Sequence, residues 1–154
     1  QPVRIVLARG LDLPLTGALA RSAPHIPLWL IHGPAVPADR RAAWQATGAK
    51  LIEVPENAAG LDLSVVFARL GAEGLTRVFC EGGGQLAAGL MAADLVNDLA
   101  LFTAGLALGA DGRAAVGALD VPHLVDAPRF TLRDCRAIGP DLFSLWSRNP
   151  AFSF

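Results

Sequence analysis

The chain has 154 residues, 53% of them apolar and 18% charged, with a formal net charge of −1. That is enough apolar material for one domain with a buried core, so disorder is excluded, and the scattered arginines make no basic run of the kind that binds nucleic acid. No apolar stretch is long enough to span a bilayer and no signal-peptide pattern is present, so we expect a soluble, cytoplasmic protein without a membrane partner.

Val3 to Leu7 is an apolar run broken only by Arg4, and Leu28 to His32 is another, so both read as strands of an interior sheet. A polar, proline-punctuated connection lies between them. Pro37 to Thr47 reads as a helix opened by proline and closed by Gly48, and Lys50 to Val54 as the next strand. Asp62 is placed to cap a helix whose Leu63, Val66, Phe67 and Leu70 fall on one stripe, with Gly71 or Gly74 ending it. Thr76 to Cys80 follows as a strand, Gln85 to Leu95 as a helix with Leu86, Leu90 and Ala93 on one face, and Asp98 to Thr103 as a strand. This alternation predicts crossovers and a parallel sheet.

Ala104 to Val116 is rich in glycine and alanine and reads as a loop. Beyond it, Phe130 to Ile138 and Leu142 to Trp146 flank Gly139-Pro140-Asp141 and predict a β-hairpin. The fold class is therefore α/β: a three-layer, mixed and largely parallel sheet, helices on both faces, and a C-terminal antiparallel hairpin, all in a single domain over residues 1–154.

The chemistry concentrates at Arg77-Val78-Phe79-Cys80-Glu81-Gly82-Gly83-Gly84-Gln85-Leu86. A strand that enters three glycines and then a helix brings backbone N–H groups close to a ligand, and the helix N-terminus favours an anion, phosphate above all. The plainer alternative is a tight turn. Glu81, at the end of a strand expected to be buried, needs a partner. Cys80 and Cys135 have neither metal-ligand spacing nor a C-x-x-C pattern and read as small buried residues. His25, His32 and His123 stand apart, so no metal site is expected. His32 ends a strand, where it would either meet a phosphate or belong to a surface loop.

Four stretches in order, Gln1 to Leu7, Gly60 to Leu63, Val78 to Gly83 and Ala92 to Leu99, resemble the reductase domain of the bifunctional riboflavin-biosynthesis deaminase-reductase. The resemblance implies a dihydrofolate-reductase-like fold. It implies NADPH-dependent reduction of 5-amino-6-(5-phosphoribosylamino)uracil, a small-molecule substrate, to the ribitylamino compound, and a homodimer. It places Glu81 on the substrate, and Gly83, Gly84, Gln85, Leu86, Ala87, Ala88, Gly89 and Arg9 on the cofactor. The family's reductase domain opens on a Lys-x-Ala-x-Ser-x-Asp-Gly strand that this sequence does not contain, and the zinc-dependent deaminase half is likewise not in it. We therefore expect roughly the last two-thirds of a reductase domain, able to fold and self-associate through an open sheet edge but not to catalyse alone. Asn97-Asp98 and Ala104-Gly105 replace the more usual Asp-Glu and Ala-Pro.

Hydride transfer needs no protein nucleophile, so the lack of a catalytic Ser, Cys or His constellation suits a reductase, and no general acid is assigned. Two other readings stand beside it. Gly82-x-Gly84-x-x-Ala87 formally satisfies the dinucleotide-binding fingerprint, although no acid ends the next strand. The other is a non-catalytic folding or dimerisation fragment.

Overall fold

The computed structural model describes residues 1–148. It divides into two compact units, Gln1–Val78 and the chain from Phe79 onward. The first unit is built on a parallel sheet of β1 (Arg4–Leu7), β2 (Leu28–His32) and β3 (Lys50–Glu53), in the order β1-β2-β3. Strand alternation splits this sheet between two cores. Val6, Leu28, Leu30 and Leu51 pack with Leu11, Ala20, Ala23 and Trp44 on one face. Ile5, Leu7, Trp29, Ile31 and Ile52 pack with Val66 and Leu70 on the other. The first face is covered by α1 (Ala18–Ser22) and α2 (Ala38–Ala46), the second by α3 (Leu63–Ala72). Both faces of the sheet are thus buried, which is why its strands read as continuous apolar runs.

Local signals fix the helix ends. The Asp62 carboxylate accepts from the Val65 N–H at 3.2 Å, the expected cap of α3, and Gly74 closes that helix with φ +87°. Gly48 does the same after α2 with φ +86°. Two elements carry no strong sequence signal: α1, inside the proline-punctuated connection, and a two-stranded hairpin of β4 (Glu56–Asn57) and β5 (Gly60–Leu61). Arg4 secures the α1 region, donating to Ser22 Oγ and to the Ile26 carbonyl, each at 2.7 Å.

The second unit holds α4 (Gly84–Ala92) and an antiparallel sheet of β6 (Asp98–Thr103), β7 (Phe130–Ile138) and β8 (Asp141–Arg148), in the order β6-β8-β7. The hairpin is where the sequence puts it, turning at Gly139 with φ +59°. The strand Asp98–Thr103 forms, but it pairs antiparallel with β8 instead of extending the parallel alternation. A long connection from β6 to the hairpin lets β8 return against it.

Thr76 to Cys80 does not form a strand: among the described residues it has no ladder partner, and Phe79 is 80% exposed. An apolar composition can favour extended backbone but cannot supply the neighbour that satisfies its N–H and C=O groups. For the same reason Cys80 is exposed, and so is Cys135 on β7 at the rim of its sheet, against the expectation that both are buried. His32 is corrected in the opposite sense. It is the last residue of β2 and only 2% exposed, not part of a surface loop.

Trp44 is fully buried against the sheet, so Trp44→Ala should cost about 3–5 kcal/mol by truncation and cavity formation. Asp62→Ala, which removes one cap, should cost about 1 kcal/mol. Urea unfolding with an unchanged m-value checks both, and equal losses would show that the core of the first unit is misassigned.

Candidate functional site

The residues Glu81 to Gly89 form one continuous stretch that leads into and through α4. Gly83 is the N-cap residue, with φ −72° and ψ 174°, and no side chain caps the helix. The N–H groups of Gly83, Gly84, Gln85 and Leu86 therefore have no acceptor inside the helix. The Ala87 N–H is already spent on the Gly83 carbonyl at 3.1 Å. Helical bonding occupies the amides of Ala88 and Gly89 in the same way. Of the residues expected at the cofactor, only Gly83 to Leu86 can offer backbone donors, while Ala87, Ala88 and Gly89 contribute small size.

The three glycines are not equivalent. A Cβ at Gly82 would meet Leu86 Cδ2 at 2.6 Å, the end of a flexible side chain. At Gly83 it would meet nothing within 4 Å, so the N-cap faces open space. At Gly84 it would come to 2.4 Å from the Ala114 carbonyl oxygen, so this glycine is required by a backbone approach from within its own unit. Open space at the cap, free donors behind it and the positive end of the helix dipole are features that an anion such as phosphate could use. No acid stands in the first turn of α4 to compete with one.

Glu81 lies two residues before the cap and is exposed. The expectation that it ends a buried strand is not met, because that strand is not formed; the carboxylate has solvent as its partner and is free to meet a ligand. Ala88 is buried at 6% and faces the segment around Gly117.

Arg9 belongs to the first unit, just beyond β1 at the carboxyl end of the parallel sheet, where open α/β sheets bind ligands. Its guanidinium lies 3.8 Å from the Glu56 carboxylate, which comes from the β4–β5 hairpin. The Gly33 N–H donates to the Arg9 carbonyl at 3.0 Å, joining the ends of β1 and β2. His32 Nδ1 lies 2.8 Å from the Gly33 carbonyl oxygen and so must carry the proton. Sequence reasoning missed the Arg9–Glu56 pair because its acid comes from a hairpin with almost no strand signature.

Residues 1–144 match the family model described as the RibD C-terminal domain. Riboflavin biosynthesis protein RibD of Escherichia coli is 34% identical over 99 residues, which cover 64% of this chain and 27% of that protein. Among solved structures, RibD of Acinetobacter baumannii has a TM-score of 0.80 at 21% identity, covering 96% of this chain and 38% of the other. A pyrimidine reductase-like protein of Corynebacterium diphtheriae has a TM-score of 0.74 at 19% identity, covering 95% and 60%. The chain thus spans well under half of the RibD proteins it matches, and it shares the mixed α/β, dihydrofolate-reductase-like fold of their reductase domains. With the family model matching residues 1–144 of its 154, the chain belongs to the RibD C-terminal domain family.

Proposed function

We propose that this chain is the reductase part of a riboflavin-biosynthesis enzyme, reducing 5-amino-6-(5-phosphoribosylamino)uracil to the ribitylamino compound with NADPH in the cytoplasm. Family membership supports the reaction class. The observation that carries the site is the uncapped first turn of α4, with four consecutive N–H donors behind an N-cap glycine that faces open space. That donor set fits a dinucleotide's phosphates. When bound, the cofactor would supply the hydride.

The chain's own residues have the remaining work. Gly83, Gly84, Gln85 and Leu86 hold phosphate through backbone N–H groups, and the absence of a side chain at Gly83 lets the ligand approach. In the first unit, the exposed Arg9 guanidinium lies 3.8 Å from the Glu56 carboxylate. Glu81 accepts hydrogen bonds from the substrate's sugar or base. Hydride addition at the sugar's anomeric carbon would break its bond to the ring oxygen, and that oxygen would take a proton from water or a nearby polar group. Positioning, not a protein nucleophile, accounts for the rate. We propose a homodimer as the active form of the complete protein.

The generic dinucleotide-binding reading fares worse. Its fingerprint should close a parallel strand and precede another, yet the segment before Gly82 is not a strand and β6 pairs antiparallel. The dimerisation-fragment reading rests on the exposed, unpaired stretch around Phe79. A chain that never binds NADPH in any context would favour it.

In the complete protein, Glu81→Gln should lower kcat/KM for the pyrimidine roughly ten- to hundredfold, the worth of a charge-assisted hydrogen bond, with little change in NADPH affinity. Steady-state kinetics with NADPH oxidation as readout check this; wild-type kcat/KM would make Glu81 a bystander. Gly83→Ser should move two quantities in opposite directions. A serine at the cap accepts from the first-turn amides and stabilises the fold by a few tenths of a kcal/mol. The same oxygen occupies the ligand's donors, so NADPH affinity should fall. Unfolding curves and fluorescence titration test the pair, and unchanged affinity in a folded Gly83→Ser protein would remove the phosphate from this turn.

A further inference from the structure

The connection between β6 and β7, residues 104–129, has little regular structure, and its Leu106, Leu108, Leu124 and Val125 are exposed. One short part of it is fixed against α4. The Gly117 N–H donates to the Gly84 carbonyl at 2.8 Å. A Cβ at Gly117 would lie 3.2 Å from that same oxygen and 3.5 Å from both Ala88 Cβ and Gln85 Cα. From the other side, a Cβ at Gly84 would lie 2.4 Å from the Ala114 oxygen and 3.3 Å from the Ala115 carbonyl carbon and oxygen. Gly84 thus lets the Ala114–Ala115 backbone approach where a side chain would force it away, while a side chain at Gly117 would crowd the Gly84 oxygen.

The peptide group that receives this contact is informative. Its oxygen belongs to Gly84 and its N–H to Gln85, one of the free first-turn donors. A hydrogen bond accepted at the oxygen of a peptide strengthens the donor at its nitrogen, and the contact also fixes the direction in which that N–H points. We propose that Gly84 and Gly117 form a clasp by which the 104–129 connection positions the phosphate-binding turn of α4, with Gly117 as a positioning residue for the cofactor. The proposal rests on the cofactor reading given above. Linkage then makes the effect reciprocal: if the seated connection tightens phosphate binding, bound phosphate tightens the seat by the same factor.

The test uses the complete protein and NADPH. Gly117→Pro removes the donor, and Gly117→Ala keeps it while crowding the Gly84 oxygen. We expect the NADPH Kd to rise about five- to tenfold in Gly117→Pro, the worth of one hydrogen bond, and by less in Gly117→Ala. NADPH should also slow hydrogen exchange at the Gly117 amide of the wild type by a comparable factor, which a merely structural contact would not do. A folded Gly117→Pro protein with wild-type Kd, or a Gly117 amide indifferent to saturating NADPH, overturns the proposal. If Gly117→Pro does not fold, Gly84→Ala decides: a raised Kd with faster exchange at Gly117 supports the clasp, and wild-type values for both overturn it. Failure of the cofactor reading shows separately, as a wild-type protein that does not bind NADPH at all.

Discussion

A helix that begins without a cap leaves four N–H groups to be satisfied from outside, and the second unit depends on how α4 meets that demand. Most helices answer it with a Ser, Thr, Asp or Asn side chain, as α3 does with Asp62. The same chain therefore shows both solutions: a capped helix covering a sheet, and an uncapped one opening on glycines. Leaving the donors open behind a glycine cap forgoes roughly a few tenths of a kcal/mol of stability. An anion bound there would restore it and stabilise the helix start.

The two units contribute in different ways. In the first, apolar strands buried on both faces make a rigid parallel sheet whose carboxyl edge carries Arg9, Gly33 and Glu56 close together. In the second, rigidity comes from hydrogen-bonded ladders, with Phe102 and Phe143 rings 5.1 Å apart and the Arg136 guanidinium 5.2 Å from the Phe143 ring. Its helix ends on Asp94 at φ +58°, and the Asp94 carboxylate is bridged by Arg148 of β8. That pair joins the far end of α4 to the sheet, while Gly117 meets its near end.

Much of this was legible in the residues, for reasons that can be named. The sequence marks Leu28 to His32 to the residue because burial on both faces leaves an unbroken apolar run, and it marks α3 because a cap and a stripe coincide. The glycine stretch was recognised as a junction into a helix, and it is one. What composition could not reveal was pairing. Thr76 to Cys80 looks like a strand and lacks a ladder partner among the described residues; Asp98 to Thr103 is a strand whose partner arrives from far along the chain. The separate roles of Gly83 and Gly84 were also hidden, since one faces open space and the other a carbonyl supplied thirty residues later by Ala114. Contacts between distant backbones leave no local signature beyond the glycine itself.

The central claim is that the free amides at the start of α4 are the phosphate donors. Amide NMR spectra of the protein titrated with NADPH test it most directly, because they report on each N–H separately. The account predicts that the Gly83, Gly84, Gln85 and Leu86 amides show the largest downfield shifts, with Ala87 to Gly89 moving little because their N–H groups are bound within the helix. Saturable binding that leaves those four amides unmoved would contradict it.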